Sequence, residues 1–118
     1  MPTNIDIVKA LWLTVDQKKW ADLADFFTED AKIYWPNTKE EFSVSEFITV
    51  NQNYPGDWRV KIEHLDDYSE NTISIITVSD GIQIYRAVSL FTIEQGKIIK
   101  LKEFWALEEE PPDWRQSN

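Results

Sequence analysis

The second half of this chain consists of four extended, apolar-rich segments joined by very short turns. The segments cover residues 58–68, 72–79, 82–93 and 98–107, with Glu70-Asn71, Asp80-Gly81 and Gln95-Gly96 as the joints. Asp-Gly between alternating apolar runs is a strong signal for a tight β-hairpin, because glycine accepts the positive φ that such turns require. Strands joined by hairpins run antiparallel. The sequence therefore predicts an antiparallel meander.

Three helices and one short strand are predicted before the meander. An apolar stripe with three- and four-residue steps predicts a first helix that continues to Val15. Asp16 is predicted to cap a second helix. Ser43 and Glu46 have the spacing of a capping box and should open a third helix. Residues 31–35 are predicted to form the short strand.

These elements predict an α+β fold. A cone-shaped, curved antiparallel sheet, made of the four-strand meander plus the short N-terminal strand, should wrap over the three N-terminal helices. At 118 residues the chain is long enough for one core, so residues 1–118 are predicted to be a single domain. Residues 109–118 are predicted to be a C-terminal tail that packs on the body through Trp114, since two prolines stop it from extending the sheet.

Composition excludes several kinds of partner and chemistry. With 12 basic and 21 acidic residues, the net charge of −9 disfavours nucleic acid and anionic membranes. The chain has no cysteine, so disulfides and thiolate metal sites are excluded. One histidine among scattered carboxylates predicts no metal site, and no cofactor is expected. We expect a cytoplasmic protein, since no secretory signal or membrane-spanning run is visible.

The register of the meander determines which side chains face the helices. If each joint is a two-residue loop, the inner face collects apolar residues that include Ile73, Ile75, Val88, Leu90 and Trp105. The same arithmetic places a polar group on that face: Arg86, Glu103, His64, Asp66 and Tyr68. The opposite face is mixed and is predicted to form a homodimer contact. One β-bulge would shift this register.

Arg86 is the most unusual residue of the predicted inner face. A buried, unpaired charge is very costly, so an inward Arg86 requires a carboxylate or an anionic ligand. Glu103, on the adjacent strand, is its nearest predicted partner. Two interpretations are equally open: an internal ion pair that closes the mouth of the cone, or an anchor for a ligand.

Several segments resemble the nuclear transport factor 2-like superfamily. Residues 23–31 (LADFFTEDA) and 94–98 (EQGKI) are similar to its helix-to-strand and final-hairpin signatures. Residues 34–36 (YWP), 54–58 (YPGDW) and 111–115 (PPDWR) look like its SnoaL-like branch. The resemblance implies a cone fold over nearly the whole chain, a ligand at the open end and a homodimer through the open sheet face. Because members include polyketide cyclases, ketosteroid isomerases, dehydratases, epoxide hydrolases and non-catalytic proteins, it implies no single function.

Three functions remain open from the sequence. The first is a non-catalytic domain that binds a small molecule through Arg86. The second is a proton-transfer enzyme of the isomerase, cyclase or dehydratase type, acting on a small, largely apolar substrate. In it, Glu103 or Asp66 would be the base, and Tyr68 or His64 would polarise a carbonyl or deliver a proton. The third is a structural homodimer whose pocket is filled by its own side chains.

Four aromatic residues are predicted to border the pocket if a ligand binds. Trp35, Trp58 and Trp105 would form its walls and Tyr54 would lie at its entrance. Large aromatic side chains also dominate ordinary cores, so each of them could serve packing alone.

Overall fold

The protein has two layers, with the helices on one side and a sheet on the other. The structure, a computed structural model, describes residues 2–116. The helices are α1 (Asn4–Asp16), α2 (Trp20–Leu23) and α3 (Val44–Asn53), and 3₁₀ turns cover Ala24–Phe26 and Asp113–Arg115. The strands are β1 (Phe27–Trp35), β2 (Glu40–Phe42), β3 (Arg59–Tyr68), β4 (Asn71–Ser79), β5 (Ile84–Glu94) and β6 (Lys97–Leu107).

The six strands form one curved, unclosed sheet in the order β2-β1-β6-β5-β4-β3. Strands β3 to β6 form the predicted antiparallel meander. Strand β1 joins β6 in parallel, and β2 pairs with β1 in antiparallel orientation. The predicted α+β cone fold is therefore confirmed. The short strand β2 was not predicted.

Two capping boxes fix the starts of the longer helices. The Thr3 hydroxyl accepts the Asp6 N–H at 3.1 Å, and the Asp6 carboxylate accepts the Thr3 N–H at 3.0 Å. Ser43 and Glu46 repeat this exchange at 3.2 and 2.8 Å at the start of α3, as predicted. Each box satisfies two of the N–H groups that a helix start leaves unpaired.

The prediction that Asp16 caps the second helix is wrong. Asp16 is the last residue of α1, and its carboxylate binds the guanidinium of Arg59 at 2.8 and 3.0 Å and the N–H of Val60 at 2.8 Å. The chain then turns through Lys18, which has a positive φ of 58°. The carboxylate therefore joins α1 to the start of β3, and α2 is a single turn without a side-chain cap.

The meander differs from its predicted register at four points. The β3–β4 turn is Ser69-Glu70, and the β4–β5 connection is the four-residue loop 80–83. Asp80 closes that loop by accepting the N–H groups of residues 82 and 83 at 2.9 and 2.8 Å. The β5–β6 turn is the predicted Gln95-Gly96. Bulges interrupt β3 at Glu63 and β6 at Ile99, and each reverses the facing of the residues beyond it.

The inner face of β4 and β5 is the reverse of the one predicted. Its residues are Thr72, Ser74, Ile76, Val78, Tyr85, Ala87, Ser89 and Phe91. Ile73, Ile75, Val88 and Leu90 lie on the outer face instead. The buried polar residues of this face, Thr72, Ser74 and Ser89, are paired: the Trp12 indole N–H, for example, donates to the Ser74 hydroxyl at 3.0 Å. Inward serine is therefore tolerated, because its hydroxyl has a partner.

The core lies between this inner face and the helices. Its fully buried members come from every layer and include Leu11, Leu23, Ile33, Phe47, Ile76, Phe91 and Leu101. Among the described residues, no helix is long and apolar enough to cross a membrane.

The prediction that the tail packs on the body through Trp114 is wrong for the part of the tail that the structure describes. Trp114 is 82% exposed, and residues 109–116 are all exposed. The guanidinium of Arg115 lies 5.2 Å from the ring centre of Trp114, so this indole contacts its own neighbour. Residues 117 and 118 of the predicted tail lie outside the described range.

Candidate functional site

A cavity of about 380 Å³ lies between the helices and the inner face of the sheet. Its walls come from α1, α3, the segments 18–20 and 35–38, the loop 54–58 and the inner faces of strands β3 to β6. Five of the six tryptophans of the chain line it: Trp12, Trp20, Trp35, Trp58 and Trp105. The volume falls in the range of small-molecule sites, and the lining is mostly apolar, as such sites usually are.

The aromatic lining forms a continuous series of ring contacts along one wall of the cavity. Ring centres are separated by 5.4 Å between Tyr54 and Trp58, 5.6 Å between Trp58 and Tyr85, and 6.4 Å between Tyr85 and Trp105. Trp105 then contacts Trp35 at 6.1 Å. Most of these pairs are edge-to-face, an arrangement that aromatic rings favour. A hydrogen bond with Tyr85 raises the pKa of Tyr54, so the Tyr54 phenol remains protonated at neutral pH.

The loop 54–58 closes one side of the cavity. Gly56 has a φ of +112°, and the Trp58 indole N–H donates to the Pro55 carbonyl at 2.7 Å across it. A Cβ at position 56 would lie 2.8 Å from Trp58 Nε1, so glycine is required for this contact as well as for the backbone. The local sequence thus sets the position of the Trp58 ring.

Lys18 ties this loop to the turn after α1. Its ammonium group donates to the Trp58 carbonyl at 2.9 Å and pairs with the Asp57 carboxylate at 2.9 Å. The hydrogen bond from Lys18 lowers the pKa of Asp57, which keeps the pair ionised. Lys18 is the one charged residue that lines the cavity within residues 2–116, and its charge already has a partner.

Glu103 is fully buried directly behind the tryptophan wall. Its Oε1 accepts the Trp35 indole N–H at 3.0 Å, and its Oε2 accepts the Ser89 hydroxyl at 2.7 Å. Burial raises the pKa of Glu103, and the two hydrogen bonds oppose that rise in part. Glu103 does not line the cavity. Its carboxyl group therefore fixes the Trp35 ring and has no direct route to a bound molecule.

The predicted inward position of Arg86 is wrong. Arg86 faces outward from β5, where it pairs with Glu108 at 2.7 Å and with Glu63 at 3.6 Å. Glu103 is on the opposite face of the sheet, so the two residues form no pair. The four-residue loop 80–83 keeps Arg86 on the same face of the sheet as Ile73 and Ile75, as predicted. The extra residue of the bulge in β6 places Glu103 on the opposite face from Arg86.

The predicted inward positions of His64, Asp66 and Tyr68 are also wrong. All three follow the bulge at Glu63 and lie exposed on the outer face of β3. The bulge turns Leu65 toward the core in their place. Neither the proposed histidine nor Asp66 is therefore close to the cavity.

Four of the predicted pocket residues do line the cavity: Trp35, Tyr54, Trp58 and Trp105. Tyr85 and several polar residues of the lining were missed. Tyr85 was assigned to the outer face by the incorrect register. Asn37 and Asn51 lay in a turn and near a helix end, where polar residues usually meet solvent, and no sequence signal pointed to them.

Comparison with known proteins gives the fold a name. No protein-family model and no curated protein sequence matches the chain. Among solved structures, a candidate ketosteroid isomerase from Kribbella flavida has a TM-score of 0.80 and 21% identity, covering 95% of this chain and 86% of that one. An NTF2-like protein of unknown function from Burkholderia xenovorans scores 0.79 at 17% identity, covering 92% and 87%. IdmH, a candidate polyketide cyclase from Streptomyces antibioticus, scores 0.72 at 12% identity, covering 85% and 89%.

The chain therefore has the nuclear transport factor 2-like cone fold, as the sequence resemblance indicated. At these identities the likeness concerns the fold, and the activities in those names describe the other proteins. What this chain binds depends on the residues that line its own cavity.

Proposed function

We propose that this protein binds a small, largely aromatic molecule in the tryptophan-lined cavity without transforming it. The observation that carries the proposal is the concentration of five tryptophans around one space of about 380 Å³. Indole rings offer large, flat, rigid surfaces, and stacked or edge-to-face contacts between rings stabilise a complex by about 0.5–1.5 kcal/mol beyond area burial. A planar ring system matches such walls better than a flexible chain does.

The open volume argues against a pocket filled by its own side chains. The rings are held apart by contacts behind them, such as the hydrogen bond from Trp35 to Glu103 at 3.0 Å and that from Trp58 to Pro55 at 2.7 Å. Because these bonds orient the rings before any ligand arrives, the side chains lose little conformational entropy when a ligand binds.

A proton-transfer enzyme is the second candidate, and the raised pKa of Glu103 is the observation that favours it. However, both carboxyl oxygens of Glu103 are engaged and lie behind Trp35. A general base must reach the proton that it removes, within hydrogen-bond distance or through one water. The position of Glu103 therefore supports a role in binding more than one in catalysis.

The test combines native mass spectrometry of the purified protein with thermal unfolding in the presence of a panel of aromatic metabolites. A ligand at one hundred times its Kd should stabilise the fold by about 2.7 kcal/mol. For a domain of this size that corresponds to a rise in Tm of roughly 10 °C. Conversion of any such ligand into product would favour the enzyme, and the absence of any co-purified or stabilising compound would contradict the proposal.

The outer face of the sheet supports a further part of the proposal, a homodimer. Val88 and Phe104 pair across β5 and β6 and are 37% and 41% exposed, with Ile75 beside Val88 on β4. A contiguous apolar patch on a sheet face is a common form of subunit contact. A cytoplasmic location stays a prediction.

A further inference from the structure

The proposed binding function leaves the charge and the hydrogen-bonding groups of the aromatic ligand open, and the polar residues of the cavity indicate both. Apart from its tyrosine hydroxyls and indole N–H groups, the lining contains one charged residue and four polar, uncharged ones among residues 2–116: Lys18, Asn37, Thr38, Asn51 and Gln52. The orientations of two side-chain amides can be deduced from their hydrogen bonds.

Asn37 presents a hydrogen-bond donor. The backbone N–H of Trp105 donates to Asn37 at 3.0 Å, and only the amide oxygen can accept that bond. The NH₂ group of Asn37 is therefore on the other branch of the side chain, where its two hydrogens have no partner among the described residues. The strand that carries Trp105 thus fixes which end of the amide is free.

Asn51 presents a hydrogen-bond acceptor. Its NH₂ group donates to the Phe47 carbonyl one turn earlier in α3, at 2.8 Å. Because a carbonyl can only accept, the amide orientation is again fixed, and the Asn51 oxygen is the free end. The two amides therefore offer opposite hydrogen-bonding character to the same cavity.

The charges around the cavity argue against an ionic ligand. Lys18 is paired with Asp57 at 2.9 Å and also binds the Trp58 carbonyl, so an anionic ligand would have to share the ammonium group with a carboxylate that repels it. No carboxylate lines the cavity within the described residues, so an organic cation would rely on ring faces alone. A neutral molecule avoids both costs.

We infer that the ligand is an uncharged aromatic molecule that carries both a hydrogen-bond acceptor and a hydrogen-bond donor, such as an aromatic amide. Its acceptor pairs with the Asn37 NH₂ group and its donor pairs with the Asn51 oxygen, while its rings lie against the tryptophans. This inference rests on the proposed binding function.

Three naphthalene probes of nearly equal shape test the charge preference by equilibrium dialysis at pH 7.5: 2-naphthamide, 2-naphthoate and trimethyl(2-naphthyl)ammonium. We expect 2-naphthamide to bind more than about tenfold more tightly than 2-naphthoate, since the carboxylate loses its hydration without a free cation. It should also bind more tightly than the ammonium probe. If either ion binds as tightly as the amide, the inference is wrong; loss of tight naphthoate binding in Lys18→Met would then identify Lys18 as an anion anchor.

Two substitutions test the amide contacts, with 2-isopropylnaphthalene as a probe that has no hydrogen-bonding group. Asn37→Asp keeps an oxygen for the Trp105 N–H but removes the donor, and Asn51→Leu removes the acceptor at an α3 position that keeps its helix propensity. Each should weaken 2-naphthamide binding about fivefold, the worth of one net hydrogen bond, and leave 2-isopropylnaphthalene unchanged. Unchanged naphthamide binding in both variants overturns the inference and leaves the binding function standing. If no probe binds the wild-type protein, both proposals fail.

Discussion

Substitution of Gly56 by alanine should disturb the cavity through Trp58, and the chain provides its own control for backbone strain. Gly56 and Gly81 have φ values of +112° and +93°, so alanine is strained at both positions. We estimate that strain at about 1–2 kcal/mol in each case. At Gly81 no atom lies within 4 Å of the added Cβ, so strain is the only expected cost.

At Gly56 the added Cβ would lie 2.8 Å from Trp58 Nε1, so the indole must move. That movement puts at risk the 2.7 Å hydrogen bond to Pro55, worth about 1 kcal/mol, and the ring contacts with Tyr54 and Tyr85, worth about 0.5–1.5 kcal/mol each. Because the ring can shift rather than leave, we expect loss of about half of this total. Gly56→Ala should then be about 1.5 kcal/mol less stable than Gly81→Ala.

Thermal unfolding followed by far-ultraviolet circular dichroism measures the difference. For a domain of 118 residues, about 1.5 kcal/mol corresponds to a gap of roughly 6 °C between the two Tm values. Gly56→Ala should also weaken the binding of 2-naphthamide, whereas Gly81→Ala should leave it unchanged. Equal Tm values and equal affinities for the two variants would show that the Gly56–Trp58 contact does not shape the cavity.

Three further predictions concern the buried acid, the cavity volume and the outer face. Burial raises the pKa of folded Glu103 above 4.5, so the contribution of this group to stability is complete below that pH and declines as the pH rises through the folded pKa. Glu103→Gln lacks this decline, so its free energy of unfolding should increase relative to that of the wild type from pH 5 to 8 in urea titrations. Parallel pH profiles of the two proteins would refute this. Val78→Phe should occupy the cavity and weaken 2-naphthamide binding at least tenfold in dialysis, whereas Val88→Phe on the outer face should not. Val88→Glu should lower the dimer fraction in sedimentation velocity, with Gln83→Glu in the exposed 80–83 loop as control, and equal dimer fractions would exclude this face as the contact.

The order of elements was predictable from the sequence because it depends on local signals. The Ser43–Glu46 capping box, the Gln95-Gly96 turn and the antiparallel meander were found from spacing and turn residues alone. Asp80-Gly81 correctly marked a connection, but its four-residue length depends on the two N–H groups that Asp80 accepts. Local patterns locate turns more reliably than they determine turn length.

The facing of the strands was not predictable, because β4 carries apolar residues on both faces. Ile73 and Ile75 alternate with Ser74 and Ile76, and serine suggested the outer side. Only the distant Trp12 indole, which pairs with Ser74 at 3.0 Å, makes that serine an inner residue. With the bulges at Glu63 and Ile99, Arg86, His64, Asp66 and Tyr68 lie on the outer face, and no residue in either strand indicates a bulge. The prediction that tryptophans wall the cavity did not depend on the strand register, because it was made from the size of the indole rings.

The distribution of tryptophan also equips the protein with its own optical reporter. Five indoles surround the cavity and the sixth, Trp114, is exposed in the tail. Intrinsic emission from Trp114→Phe would come from the cavity walls alone, so that any compound entering between the rings should quench or shift nearly all of the signal. A search for the natural ligand could therefore follow the fluorescence of the purified protein as protein-free metabolite fractions are added, without labelling the protein or knowing what it holds.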